Sequence, residues 1–333
     1  MARLPPETFR LPVDRIREGY YSDQYFNLTR ELLEAEDRHP RVLMQVFQKE
    51  QSILGGIDEA IAIVRECSGR HLDGGWQNGW DELETRALDE GDEIAPFETV
   101  MTIEGDYGLF AHLETVYLGC LARRTLVMRN VRAVVEAAHV AGAIGVSTDA
   151  QASWWGGRGV GTVPHGLIAA YGGDTVAAAR AFSDRYHADT NITVLVDFDN
   201  DSVRTALEVA EALGGQLWGV RLDTSERLVD VALADEPDPA LHHGVTPLLA
   251  RRVRAALDDA GHGHVRIVVS GGFDAEKIAR FEAEGTPVDA YGVGSSLLRG
   301  QNDFTADVVR VDGRAVAKVG REEHPNPRLE LVS

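Results

Sequence analysis

From residue 143 onward the chain follows one rhythm: a short, nearly unbroken apolar run ends in turn residues and gives way to a helical stretch. The runs are Ala143-Ile144-Gly145-Val146, Val160-Gly161-Thr162-Val163, Ile192-Thr193-Val194-Leu195-Val196, Leu217-Trp218-Gly219-Val220, Val265-Arg266-Ile267-Val268-Val269 and Asp289-Ala290-Tyr291-Gly292-Val293. Strands apolar on both faces must be covered on both, which predicts a parallel sheet flanked by helices, either open or closed into a barrel. A barrel is favoured, because glycine and polar residues follow strand after strand, where barrel active sites are built. An open doubly wound sheet would gather them at one switch point. Between the runs, residues 202–213 form an amphipathic helix with Ser202 as N-cap and Gly214-Gly215 closing it, while Asp274 caps a second helix that ends at Gly285.

The first half is more mixed. Val42-Leu43-Met44-Gln45-Val46-Phe47 and residues 99–105 read as strands, whereas 57–67 and 109–122 carry apolar residues at helical spacing. The first ten residues, with Pro5 and Pro6, read as an unpacked arm. In the tail, residues 303–331 read as a hairpin around Asp312-Gly313 that returns to the N-terminal region. The expected division is an α+β domain from 1–115 with 303–333, and an α/β domain over 116–302.

Composition removes several function classes. A net charge of −20 and a pI near 4.9 argue against nucleic acid or an anionic membrane as partner, since both need clustered cations. Any anionic ligand therefore needs a local positive pocket or a metal. Of the 33 basic residues only Lys49, Lys277 and Lys318 are lysine. Cys67 and Cys120 are too few for a disulfide framework or a structural zinc site. Neither a basic-then-apolar leader nor a run of about 18 apolar residues is present, so a cytoplasmic location is expected.

The chemistry gathers at the predicted strand ends. In Gly159-Val160-Gly161-Thr162-Val163-Pro164-His165-Gly166 glycine and proline fix the backbone and hold a histidine at the start of a helix. His165 can be a general acid or base, a nucleophile toward phosphate, or a hydrogen-bonded structural residue. Asp197, Asp199 and Asp201 follow one strand, and Arg221-Leu222-Asp223 closes the next. These carboxylates suit Mg²⁺, which binds through one or two of them plus substrate phosphates, or else they cap helices; Asp201 is placed to cap the helix at 202. Asp197 and Asp223, at equivalent strand ends, rank first. Ser270-Gly271-Gly272 and Gly292-Val293-Gly294 are glycine-rich turns whose free N–H groups can cradle a phosphate, in consecutive loops as in the common barrel phosphate site. The aromatic cluster Gly19-Tyr20-Tyr21-Ser22-Asp23-Gln24-Tyr25-Phe26 is either packing or a stacking surface for a ligand.

Taken in order, Tyr21-Ser22-Asp23-Gln24-Tyr25, Gly161-Thr162-Val163-Pro164-His165, Leu195-Val196-Asp197, Gly219-Val220-Arg221-Leu222-Asp223, Val269-Ser270-Gly271-Gly272 and Tyr291-Gly292-Val293-Gly294 resemble the nicotinate phosphoribosyltransferase family over roughly residues 20–318. The resemblance implies a type II phosphoribosyltransferase fold, an irregular (β/α) barrel with an α+β domain built from both chain ends. It also implies a homodimer or larger homo-oligomer with shared active sites. The implied reaction joins nicotinate to 5-phosphoribosyl 1-pyrophosphate, with ATP as co-substrate through a phosphorylated histidine and Mg²⁺ on the pyrophosphate.

Residue by residue, the same resemblance makes His165 the phosphate acceptor and has Tyr25 stack on the pyridine ring. Thr162 becomes a substrate contact, Ser270, Gly271, Gly272, Gly292 and Gly294 hold the 5-phosphate, and Asp197 and Asp223 manage ribose and metal. Two departures stand out. The segment before residue 159 is short and lacks the family's Arg-rich stretch, which leaves Arg124, Arg158 or Arg221 as partner of the base carboxylate, and Thr224-Ser225-Glu226 replaces the usual Ser-Gly-Asp. A quinolinate-type or other-base transferase and a non-catalytic ligand-binding relative are the alternatives.

Overall fold

The strand Arg41–Gln48 is buried at every position but its first, which places it in the middle of a sheet rather than at an edge. The computed structural model describes residues 3–139, 142–238 and 241–333, and the chain divides into two compact units, Met1–Arg129 with Gly300–Ser333, and Asn130–Arg299.

In the first unit Arg41–Gln48 pairs antiparallel with Thr99–Asp106 on one side and Phe304–Val311 on the other. Arg314–Ala315 extends the sheet at one edge, and Glu84–Ala87 followed by Glu330–Leu331 at the other. Against it the helix Ile57–Cys67 buries Ile57, Ile61 and Val64 with Leu54, Met101 and Phe110.

Three expectations change here. The arm is docked at Arg3, which pairs at 3.0 Å with Asp58, whose side chain is 5% exposed, and donates to the carbonyls of Ala87 and Leu88. The predicted helix over 109–122 begins instead at Glu114 and runs to Ala137, preceded by 3-10 turns at Tyr107–Leu109 and Ala111–Leu113. Leu109, Phe110, Ala111 and Leu113 are all core residues, so their apolar spacing records burial of a turn, not a helix stripe. In the tail hairpin Asp312 and Gly313 take φ of 49° and 75°, as a tight two-residue turn needs, yet the returning strand is only Arg314–Ala315. Val316 and Val319 are exposed, and pairing resumes only at Glu330–Leu331.

The second unit holds four parallel strands, β1 (Ile192–Leu195), β2 (Leu217–Leu222), β3 (Arg266–Val269) and β4 (Ala290–Tyr291), in the order β4-β3-β2-β1. Beyond β1, Val163 bridges Val194 in the same sense. Helices α1 (His165–Ala170), α2 (Thr175–Tyr186), α3 (Ser202–Leu213), α4 (Pro247–Asp259) and α5 (Ala275–Ala283) alternate with these strands in a mixed α/β arrangement. One core joins Val194, Val220, Ile267 and Val269 from the strands to Ala206, Val209, Val253 and Ile278 from the helices.

Of the six predicted strands, Ala143 to Val146 forms none. Ile144 is 81% exposed, and the segment meets residue 160 through the Val160 N–H on the Val146 carbonyl at 2.8 Å. The run at 160–163 contributes the single bridge at Val163. The cap of α3 also moves, from Ser202 to Asp201, whose carboxylate accepts from the Arg204 N–H at 3.2 Å. Ser202 is instead fully buried and donates its hydroxyl to Asp230 at 2.6 Å. Among the described residues no helix is long and apolar enough to cross a membrane.

Candidate active site

The turn that carries His165 is pinned to the sheet, since Val163 N–H donates to the Thr193 carbonyl at 2.8 Å while Pro164 precedes the first turn of α1. His165 is thereby held beside the end of β1. Its Nε2 lies 2.9 Å from Oδ1 of Asp197, which leaves β1 two residues after Leu195. An ionised carboxylate only accepts, so this contact keeps the proton on Nε2 and turns the Nδ1 lone pair of the neutral ring outward. The imidazole is 41% exposed while Asp197 is 8% exposed, so the pair has a buried anchor and an accessible reactive end. Burial pushes the Asp197 carboxyl above its usual range, its bond to His165 works in the opposite direction, and Asp223 adds to the rise. Phe198 sets its ring 6.3 Å from the imidazole.

The next two strand ends share a second network. Ser270, 2% exposed, accepts from Arg221 Nε at 2.7 Å and donates to Asp223 Oδ1 at 2.7 Å. Arg221 also stands 3.9 Å from the other Asp223 oxygen. A hydroxyl so enclosed orients the guanidinium and the carboxylate, while those two groups, each about 30% exposed, keep faces toward solvent.

Both glycine turns adjoin this network. Gly271 has φ of 86°, and a Cβ there would lie 3.4 Å from Asp223 Oδ1; a Cβ at Gly292 would lie 3.0 Å from that of Ser270. Gly271-Gly272 leads into α5, capped by Asp274 through the Lys277 N–H at 3.0 Å. After Gly294, by contrast, the chain makes only the 3-10 turn Ser295–Leu298, so the second turn lacks the α-helix expected to follow it.

The remaining candidates fall elsewhere. Asp199 and Asp201 are bound by Arg204 at 3.2 and 3.1 Å, which makes them partners of α3. Thr162 is half-buried and Arg158 exposed, and no hydrogen bond or ion pair of the Arg158 side chain is found among the described residues. Tyr25 and Arg124 belong to the first unit. Tyr25 is 61% exposed and donates its hydroxyl to Asp23 at 3.3 Å, and Arg124 pairs with Glu59 at 2.8 Å.

As to metal, no group of three or more potential ligands occurs among the described residues. Asp197 and Asp223, both oxygen donors, fit a hard cation that takes most of its coordination from water and substrate phosphate. Sequence reasoning missed the ring of Phe198, the buried Asp230 and the amine of Lys277, which donates to the Gly271 carbonyl at 2.9 Å. The Lys277 signal was present, as the one lysine among many arginines that follows a glycine turn by five residues.

Residues 23–125 match the family described as quinolinate phosphoribosyl transferase, N-terminal domain. With the strand-end site and the curated relatives, the match points to a class: the chain is similar to the type II phosphoribosyltransferases. A nicotinate phosphoribosyltransferase of Mycobacterium tuberculosis is 31% identical over 278 residues, covering 73% of this chain and 57% of that protein. This chain thus spans little more than half the length of that relative. The structure is similar to the nicotinate-nucleotide pyrophosphorylase of Pyrococcus furiosus, with a TM-score of 0.77, 28% identity, and coverage of 97% of this chain and 85% of the other. Human nicotinic acid phosphoribosyltransferase shares the fold at a TM-score of 0.61 and 17% identity, over 89% of this chain and 76% of its own.

Proposed function

We propose that this chain transfers the phosphoribosyl group of 5-phosphoribosyl 1-pyrophosphate to nicotinate, in salvage of pyridine nucleotides. The bond from ribose C1 to the pyrophosphate oxygen breaks, a bond from C1 to the pyridine nitrogen forms, and pyrophosphate leaves. The observation that carries the reading is the Arg221–Ser270–Asp223 network set against the Gly271 and Gly292 turns. Carboxylates beside a phosphate cradle stabilise a ribose that becomes oxocarbenium-like as its bond to pyrophosphate stretches. In this reading Asp223 and Asp197 face the ribose and hold Mg²⁺, a bound cation that neutralises the leaving pyrophosphate. The glycine turns receive the 5-phosphate.

The same reading gives His165 a coupled role. Its Nδ1 takes the terminal phosphoryl group of ATP, forming an N–P bond as the bond to the bridging oxygen breaks and ADP leaves; water later cleaves the N–P bond. Asp197 holds the ring in the tautomer that exposes Nδ1. Around β1 to β4 the arrangement is an irregular barrel, in a cytoplasmic homodimer in which the exposed Tyr25 stacks on the base bound by a second copy. Among the three arginines, Arg158 is favoured for the base carboxylate, because Arg124 is engaged by Glu59 and Arg221 by Ser270.

A quinolinate-type reaction is the second reading, supported by the match of residues 23–125 to that family's N-terminal domain. Pyrophosphate release from phosphoribosyl pyrophosphate and Mg²⁺, measured with nicotinate, nicotinamide or quinolinate and with or without ATP, separates them. Release with nicotinate, stimulated by ATP, is expected. Release with quinolinate alone, accompanied by carbon dioxide, would replace the first reading by the second, and no release with any base would overturn both.

A further inference from the structure

We propose that Lys277 is the cation of the Gly271-Gly272 phosphate subsite and that the carboxylate of Glu226 is its resident counter-anion, which the phosphate of the substrate must displace. The inference rests on the phosphoribosyl-transfer reading above and adds to it two residues outside the strand ends.

Lys277 is half-buried on the first turn of α5, with its amine 2.9 Å from the Gly271 carbonyl and 4.5 Å from the centre of the Phe273 ring. The ring and the carbonyl hold the ammonium at the mouth of the turn, and one hydrogen bond leaves two of its three protons for an incoming anion. Lysine serves phosphate as a compact point charge. Lys49 and Lys318 belong to the first unit, so Lys277 is the single lysine of the second.

Opposite stands Glu226. Gly272 has φ of 70°, and a Cβ at that position would come within 2.4 Å of Glu226 Oε1, so the carboxylate lies directly on the turn whose N–H groups a phosphate would use. Burial lowers the pKa of Lys277, and among the neighbouring carboxylates Glu226 does most to restore its charge, ahead of Asp274 and Asp223. Glu226 is exposed and sits in a turn shortly after β2, so its side chain can swing into solvent at little cost in packing. A glutamate here therefore mimics the anion the turn is shaped for: it favours the charged form of Lys277 and competes with substrate by like-charge repulsion until it moves.

The test is calorimetric binding of phosphoribosyl pyrophosphate with Mg²⁺, without base, to the full chain and to Glu226→Gln, Lys277→Met and Lys277→Arg. Glu226→Gln is expected to tighten Kd about three- to tenfold and Lys277→Met to weaken it about tenfold or more, while Lys277→Arg stays within about threefold of the parent. If the parent binds and neither Glu226→Gln nor Lys277→Met changes Kd by more than about twofold, the roles given to these residues are wrong while the phosphoribosyl reading stands. If the folded parent binds no phosphoribosyl pyrophosphate, that reading fails and this inference falls with it. Loss of binding in Lys277→Arg as severe as in Lys277→Met would also overturn it, as the mark of a packing defect rather than a lost charge.

Discussion

Nε2 of His165 and Oδ1 of Asp197 lie 2.9 Å apart, across the junction between the pinned turn at Val163 and the end of β1. The carboxylate is buried and the imidazole is not, so the aspartate dictates which nitrogen of the histidine faces an incoming group.

Asp197→Asn keeps the shape but offers an amide that can donate as well as accept, releasing the ring to the other tautomer. ATP-stimulated turnover is expected to fall about 10²- to 10⁴-fold. His165→Ala should remove the ATP stimulation and leave basal transfer measurable. Acid-labile phosphate on the parent and none on His165→Ala, after incubation with labelled ATP, is the second readout. An unchanged ATP response in His165→Ala would make the residue structural.

Ser270→Ala removes one hydroxyl and leaves Arg221 and Asp223 without their shared partner. Losing a hydrogen bond in a buried place costs about 1–3 kcal/mol, and both freed groups gain rotational freedom. A lower Tm and a KM for phosphoribosyl pyrophosphate raised about tenfold are expected, with the KM for nicotinate changed less. Equal changes in both KM values would mean that Ser270 supports the site only by general packing.

Gly271→Ala places a side chain at φ of 86°, where L-residues are strained, and points its methyl group at Asp223. The strain is about 1 kcal/mol. Gly261, at φ of 81° with nothing within 4 Å of its would-be Cβ, provides the control. Both variants are expected to lose similar stability in chemical denaturation, but only Gly271→Ala to weaken phosphoribosyl pyrophosphate. Comparable turnover of the two would remove Gly271 from the phosphate site.

The site was legible where chemistry and strand ends coincide. Val194, Val220 and Val269 lie in runs apolar on both faces, so their strands were readable, and the residues just beyond them, Asp197, Asp223 and Ser270, were readable as a row. What could not be read was partnership. Nothing in the spacing says that Ser270 is shared between Arg221 and Asp223, or that Asp230 rather than a helix cap holds Ser202, because both contacts join residues 28 or more apart in sequence. Nor does an apolar run guarantee a strand: Ile144 is as apolar as Ile267, but Ile267 has β2 beside it to pair with and Ile144 stays in solvent. In the first unit the hairpin Gly69–Leu72 with Gly75–Asn78 was overlooked although Asp73-Gly74 marks its turn, because its burial is too slight to leave an alternating pattern.

Two titrating groups of the first unit should oppose one another in acid. His112 is wholly buried, donates Nε2–H to the Cys67 carbonyl at 3.2 Å, and burial drives its pKa down to about 3. The unfolded chain takes up this proton near pH 6.5, so the stability that neutral His112 contributes is present above that pH and is lost as pH falls toward 3. Glu114, at the start of its 24-residue helix, is pushed up to about 7 by burial, with Asp307 and Asp23 adding to the rise. Here the folded state keeps a proton that the unfolded chain releases near the ordinary glutamate value of 4.5, so stability is full below that pH and is lost as pH rises through 7. Between pH 4.5 and 6.5 the two slopes cancel in the parent. Glu114→Gln removes one of them, so its Tm relative to the parent should climb from pH 4.5 to 7 and then level off. A difference in Tm that stays constant from pH 4 to 8 would show that Glu114 ionises in the folded protein as it does in the unfolded chain.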